Sequence, residues 1–433
     1  MVDVEVRDVL LRVGGRTLQR TGFLAAAGAG RGYVEVKEIF ARAASSLAID
    51  RSGYLKNVAA GAPRIEWPPG LVDVAGNPLC GIRGDTAVTN KLTTPEGPYN
   101  AGAWTSAGCT VPSTNNPSPR LGLLGTPDLT ANFVREDTST GVHGLFQNYT
   151  IGASNKRGAY VLIKSVGSRT KGRLRITNPS GTEASVVFDL SAGTISSGTD
   201  WAGIIPLAGG WFAICVFGGA GAGNPGAQFG VVFRDASNNE SYTGDGASGF
   251  LITGCVATDN QFVLHYWGTG AASVSDNFTL PVNFGPTDVT VLQLVARPIH
   301  ADAVGDIGIE PATFKLGSGK LIRGNFQQTT RLMRAFIGTN GGTDVQQTVA
   351  IPAGGLLTIV SQFRNLATTG GITKLDVGSG FTADSPTATA YSAFGSQTLE
   401  VGSNGSLHLL CGVLVDLVFA RGLRTLAEMQ AIP

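Results

Sequence analysis

Residues 173–177 read Arg173-Leu174-Arg175-Ile176-Thr177, with an apolar side chain at every second position. Successive side chains leave a β-strand on opposite sides, so period-2 alternation predicts a strand with one covered face. The pattern returns at Val289-Thr290-Val291 and leads into Leu292-Gln293-Leu294. Apolar runs of strand length lie between these points and beyond them: AYVLI (159–163), SVVFDL (185–190), WFAICVF (211–217), FGVVF (229–233), GFLITGCV (249–256), QFVLHYW (261–267) and LLTIVSQF (356–363). Turn clusters such as NPSG, DASNNES, GTNGG and GSNGS separate them. Many short strands joined by such turns predict β-sandwiches.

Composition agrees. Charged residues make up 15% of the chain, against roughly a quarter in an average domain. Glycine, at 61 of 433 residues, stands far above its usual share of ~7%. Tight turns use glycine, whereas helical bundles need charged and Leu-rich faces. The formal net charge of +1 argues against a nucleic-acid binder, which needs a basic face. The first residues, MVDVEVRDVLLRVGG, mix acids and bases and contain no signal-peptide core. Residues 201–223 are uncharged, but Pro206 and Gly209-Gly210 interrupt them. They predict strand, turn, strand and no membrane insertion.

The expected architecture is all-β: two jelly-roll-type sandwiches after an N-terminal anchoring region, closed by a short C-terminal helix. The expected divisions are 1–85, 86–270 and 271–433, with the small polar stretch 268–278 as a linker. The helix signal is a capping box at Thr425-Leu426-Ala427-Glu428. Residues 40–67 fit neither helix nor strand by pattern. They carry the turn signals DRSG and AAGAP, then Arg64-Ile65-Glu66-Trp67 and a break at Pro68-Pro69-Gly70. With few periodic apolar residues, this connector is expected to need a partner surface to order it.

Chemistry-bearing constellations are sparse. The loop Gly218-Gly219-Ala220-Gly221-Ala222-Gly223 is followed by Asn-Pro-Gly and a strand rather than a helix, so it predicts a hairpin and not a phosphate cradle. Gly317-Ser318-Gly319-Lys320 lacks the earlier glycine and the following Ser or Thr of a P-loop. Asp306 and Glu310 would share a strand face, but Gly308 stands where a glycan-cleaving row of acids needs a carboxylate. Glu136-Asp137 and Asp235 lie beside turns and are expected to be solvated. The four histidines (143, 265, 300, 408) have no metal-ligand spacing, and the five cysteines (80, 109, 215, 255, 411) have no CxxC pair. No catalytic residue, metal or cofactor is expected, and the thiols are expected to be buried and free. Sugars bind sandwiches by stacking on aromatic rings. Tyr266 and Trp267, at a strand end, and Trp201, after a Gly-Thr-Asp turn, are the candidate ligand residues.

Several phrases, in order, resemble modular virion proteins of tailed bacteriophages, of the tail-fibre or minor structural type. They begin with Phe40-Ala41-Arg42-Ala43-Ala44-Ser45 in the connector, followed by Asp50, Gly53, Ala59-Ala60 and Arg64. Ala103-Trp104-Thr105-Ser106-Ala107-Gly108-Cys109-Thr110-Val111 comes next, then Glu136-Asp137-Thr138-Ser139-Thr140-Gly141, Phe188-Asp189-Leu190-Ser191-Ala192-Gly193-Thr194 and Gly210-Trp211-Phe212-Ala213-Ile214-Cys215. These are similar to phrases of a carbohydrate-binding-module-like jelly roll. Arg421-Gly422-Leu423-Arg424-Thr425-Leu426-Ala427-Glu428-Met429-Gln430-Ala431 is similar to the phrase that ends concanavalin A-like (laminin-G-like) domains in such proteins. The resemblance implies a non-enzymatic virion protein, a tail or head fibre or spike. It would be a homotrimer that contacts other virion proteins through its N-terminal region and recognises host surface polysaccharide. The alternative is a purely structural capsid or tail decoration protein; a depolymerase ranks behind both.

Overall fold

The computed structural model describes most residues from 46 to 259 with their side chains. Elsewhere it describes mainly the backbone of strands and a short C-terminal helix, and the interposed segments lie outside the described residues. The described chain is almost entirely antiparallel β-structure. Two sheets form the first sandwich. Sheet I has six strands in the order Thr194–Ser197, Glu183–Asp189, Lys171–Thr177, Gly226–Arg234, Gly144–Thr150, Trp104–Ala107. Sheet II has seven. Its main path runs Asn115–Asn116, Ala131–Glu136, Gly249–Asp259, Arg157–Val166, Trp211–Gly218, Trp201–Leu207, and Cys109–Thr110 also pairs with Ala131–Glu136.

The alternation at 173–177 works as its pattern demands. Leu174 and Ile176 are fully buried, while Arg173, Arg175 and Thr177 are only partly covered. The same parity brings Leu145, Val186, Phe188, Phe229, Val231 and Phe233 inward from sheet I. Sheet II answers with Val134, Val161, Ile163, Ile214, Val216, Phe250 and Ile252. Phe250 meets Phe233 edge-on at 4.7 Å and Phe188 at 5.8 Å, so three rings lock the sheets together. One register step interrupts the pairing of Arg157–Val166 with Gly249–Asp259, between Tyr160 and Leu162. Gly254 takes φ +60 there, as a bulge requires.

Residues 201–218 form the expected strand, turn and strand, with Gly209 and Gly210 at φ +68 and +76 in the turn. The glycine-rich loop after Gly218 corrects the hairpin expectation. Trp211–Gly218 belongs to sheet II and Gly226–Arg234 to sheet I, so the chain crosses the sandwich there. Residues 219–225 themselves lie outside the described residues.

A second pair of antiparallel sheets follows. Sheet III has seven strands, Val345–Ala350, Leu332–Thr339, Lys320–Gln327, Ile309–Leu316, Ser396–Gly402, Asn277–Asn283 and Phe40–Ala41. Sheet IV has eight, with Leu24–Ala25, Val9–Arg12, Gly412–Arg421, Val289–Ala296, Leu356–Arg364 and Ile372–Asp376 on its main path. Gly81–Gly84 pairs with Gly412–Arg421, and Ile65–Glu66 with Gly81–Gly84. Strands from the first 85 residues therefore extend the sheets built by the C-terminal residues. The capping box also forms. The Thr425 N–H donates to Glu428 Oε2 at 2.7 Å, the Glu428 N–H donates to Thr425 Oγ1 at 3.2 Å, and Leu426–Gln430 is helical.

The connector departs most from expectation. Ser46–Ile49 and Leu55–Val58 form a hairpin with Leu47, Ala48, Ile49 and Leu55 buried. Asp50 Oδ1 accepts from the Ser52 and Tyr54 N–H groups at 2.8 and 3.0 Å and shapes the turn. The hairpin is then stitched to the body of the same chain. Leu55 N–H donates to Pro119 O (2.9 Å), Leu121 N–H to Leu55 O (3.0 Å) and Ala208 N–H to Gly53 O (2.9 Å). The surface that receives the hairpin belongs to the same chain.

Gly53 takes φ +84, and a Cβ there would lie 3.1 Å from Ala208 N. Gly53→Ala is expected to cost about 1–2 kcal/mol, because a left-handed backbone disfavours a side chain. Limited proteolysis should then cut residues 46–67 faster while the sandwich stays intact. An unchanged cleavage rate would mean that the turn does not dock.

Candidate functional site

The docked connector creates a cleft of about 340 Å³ between its own turn, the Trp67-Pro68-Pro69-Gly70 segment and the Pro206–Ala208 turn of sheet II. The prolines fix their own backbone and give the cleft rigid walls. Pro206 sits on the edge strand Trp201–Leu207, where a residue without an N–H does least harm to a sheet. Trp67 is half-buried, and its backbone N–H donates to Ile49 O at 2.9 Å, which ties this segment to the hairpin. The exposed Arg51 guanidinium stands 5.5 Å from the Trp67 ring centroid, in cation–π range. Asp50 spends Oδ1 on its own turn, and Oδ2 meets no donor among the described residues. An aromatic ring, a guanidinium and a carboxylate oxygen in one cleft offer an apolar platform together with hydroxyl donors and acceptors.

This set differs from the residues expected from sequence. Trp201 begins the edge strand that ends in the cleft and pairs with Phe217. Six strand steps separate it from Leu207, about 20 Å at strand rise, so the fold does not bring it to the cleft. Tyr266 and Trp267 lie outside the described residues, as do Asp306 and Gly308. Asp50, Arg51 and Trp67 were missed. The available signal was a tryptophan followed directly by Pro-Pro-Gly, fourteen residues after the end of an Asp-Arg-Ser-Gly turn.

A second constellation lies at one end of the first sandwich, and it corrects the reading of Glu136 as a solvated turn acid. Glu136 is fully buried. It accepts from Arg169 Nε and Nη2 at 2.9 and 3.0 Å, from the Tyr242 hydroxyl at 2.7 Å and from the Asp245 N–H at 3.0 Å. The Arg169 guanidinium lies 4.4 Å above the Tyr242 ring, and the buried His143 ring stacks on Tyr242 at 4.5 Å. His143 Nε2 is 3.5 Å from Asp137 Oδ1. Burial, followed by the Glu136 hydrogen bond, pushes the Tyr242 hydroxyl far up from its ordinary pKa. A carboxylate that accepts four hydrogen bonds, two from a bidentate arginine, is committed to structure and has no lone pair to offer a substrate. Asp235 does fit the turn reading, accepting from the Asn239 N–H at 2.7 Å on the surface.

The described thiols are free, and Cys80, Cys215 and Cys255 are buried. Burial pushes the Cys80 thiol up to about 11 and those of Cys109 and Cys255 up to about 12, which keeps them protonated and unreactive near neutrality. Cys411 lies outside the described residues.

No protein-family model matches the chain, and no curated protein matches it. Among solved structures, the mouse laminin alpha1 chain, domains LG4-5, shows a weak likeness. The TM-score is 0.22 at 9% identity, over 73% of this chain and 93% of that one.

Removing one partner of a buried pair leaves an uncompensated charge, at a cost of about 3–5 kcal/mol. Glu136→Ala is therefore expected to lower unfolding stability by that amount in urea titration, and a loss below about 1 kcal/mol would contradict the network.

Asp245 gives a pH-dependent prediction. Ser248 donates to it from its hydroxyl and its N–H, both at 2.6 Å, and Ala247 N–H adds a third bond at 2.7 Å. These bonds hold its pKa well below the ordinary 3.8. A lowered folded-state pKa stabilises above the ordinary value and is lost as the pH falls below it. Asp245→Asn should flatten the fall in stability below about pH 4. An acid limb identical to that of the unaltered chain would contradict the assignment.

Proposed function

We propose that the chain is a bacteriophage virion surface protein, a fibre or spike, and that it recognises host-surface glycan at the Trp67 cleft. The observation that carries the reading is the half-buried Trp67 ring beside Asp50 and Arg51 in a proline-walled cleft. Sugar rings present C–H faces that stack on aromatic rings and hydroxyls that bond to carboxylates and guanidinium groups. The virion setting comes from the ordered phrases in the sequence, which run from the connector to the terminal helix. In this reading the protein binds without cleaving. Its N-terminal residues meet other virion proteins, and three copies assemble so that weak sites act together.

The test is saturable binding of labelled full-length protein to intact candidate host cells, with and without surface polysaccharide. Binding should vanish on stripped cells, and Trp67→Ala should weaken it at least about tenfold, or ~1.4 kcal/mol. No saturable binding at micromolar protein would overturn glycan recognition and favour a structural decoration role. Sedimentation as a stable monomer at that concentration would overturn the trimer.

A further inference from the structure

The outer face of sheet I carries a second polar surface, remote in the sequence from the cleft residues. Because Leu174 and Ile176 enter the core, Arg173 and Arg175 stand side by side on the opposite face. Arg234 joins them from the neighbouring strand, and the single carboxylate of Glu240 reaches over all three. Arg173 Nη1 donates to Glu240 Oε1 at 2.9 Å and Arg234 Nη2 to the same oxygen at 2.6 Å. Arg173 Nη2 also donates to Ser185 Oγ at 3.1 Å, and Arg234 Nη1 to Asn238 O at 3.1 Å. Arg175 is left over. Its Nη1 lies 3.9 Å from Glu240 Oε2, beyond hydrogen-bond distance, and it makes no hydrogen bond to a described residue. Its side chain is nevertheless only 21% exposed. Burial pulls its pKa down from the ordinary value, with Glu240 opposing the shift.

The floor around Arg175 is built for approach. Gly230 is its partner in register, and a Cβ there would meet Phe146 Cδ1 at 2.9 Å and Arg175 Cγ at 3.5 Å. The Phe146 ring therefore lies flat over glycine, and the guanidinium stands 5.7 Å from its centroid. In the next row Gln228 Nε2 donates to Asn148 Oδ1 at 3.0 Å, so an amide pair stands beside Arg175. Lys171 and Asp189, 3.9 Å apart, close the other end as a pair.

We propose that this face binds a carboxylate-bearing polysaccharide, with the sugar carboxylate held by Arg175. Arg175 keeps donors that no described residue uses, and its Nε is buried without a partner among them. A planar guanidinium with unspent donors matches a carboxylate in bidentate geometry. The flanking amides and Ser185 suit hydroxyl groups. The exposed large apolar residues among those described, Val72, Val142 and Leu423, belong to no strand of sheet I, which disfavours a protein partner needing an apolar anchor there. The chain's net charge of +1 disfavours nucleic acid. The choice of a sugar polymer rests on the glycan reading above; the choice of an anion rests on the arginines alone.

The experiment titrates the full chain with polygalacturonate, with its fully methyl-esterified neutral form, and with single-stranded DNA as a non-sugar polyanion. Polygalacturonate should bind, and the esterified polymer and the DNA should bind at least about tenfold more weakly. Arg175→Ala should weaken polygalacturonate binding by a similar factor. Glu240→Gln should strengthen it, because the competing carboxylate is gone. If Arg175→Ala fails to fold, Arg175→Lys, which keeps the charge and loses the planar fork, should show the weakening instead. Equal binding of the esterified polymer, equal binding of DNA, no polygalacturonate binding, or weaker binding by Glu240→Gln would each overturn the proposal.

Discussion

Mutual burial of the inner faces of sheets I and II is the constraint from which the rest follows. Each strand must send alternate residues into that layer, where Phe250 wedges between Phe188 and Phe233. Fully burying each large apolar side chain is worth about 1.5–3 kcal/mol, so a one-residue slip in any central strand is prohibitive. Once Leu174 and Ile176 are committed inward, the positions of Arg173 and Arg175 are no longer free. The arginine-bearing outer face is thus a by-product of core parity, placed with the precision of the core.

The same constraint shapes the connector. A hairpin of two four-residue strands is marginal alone. It persists because Leu47, Ile49 and Leu55 are buried and because three backbone hydrogen bonds tie it to Pro119, Leu121 and Ala208. The Trp67 cleft exists only because that docking occurs. Its walls come from the connector on one side and the edge of sheet II on the other. A connector of nearly thirty residues before the main body is therefore one side of a cleft as well as a link between sheets.

Much of the fold could be read from sequence because period-2 alternation, apolar runs and turn chemistry are local. The strands around 159–163, 173–177, 211–217, 229–233 and 249–256 all lie where those patterns put them. What escaped depends on distant partners. Glu136 looks like a turn acid until Arg169, Tyr242 and Asp245 arrive from 33, 106 and 109 residues away. The glycine loop after Gly218 signals a reversal, but nothing local says that the next strand joins the other sheet. Trp67 was visible as a tryptophan before two prolines, whereas its role depends on Arg51 and Pro206 being brought to it. Trp201 was chosen for its turn, and only the pairing with Phe217 shows how far it lies from the cleft.

The most direct measurement of this account is hydrogen exchange on the full-length protein held dilute enough to be monomeric. The central claim is that one chain orders its own connector and so builds its own cleft. The Leu55, Leu121 and Ala208 amides should then be protected in the monomer to a degree approaching the sandwich core. Exchange of these three amides at the rate of an open chain in the monomer, with protection only in an assembled form, would contradict the claim and return the connector to a partner surface.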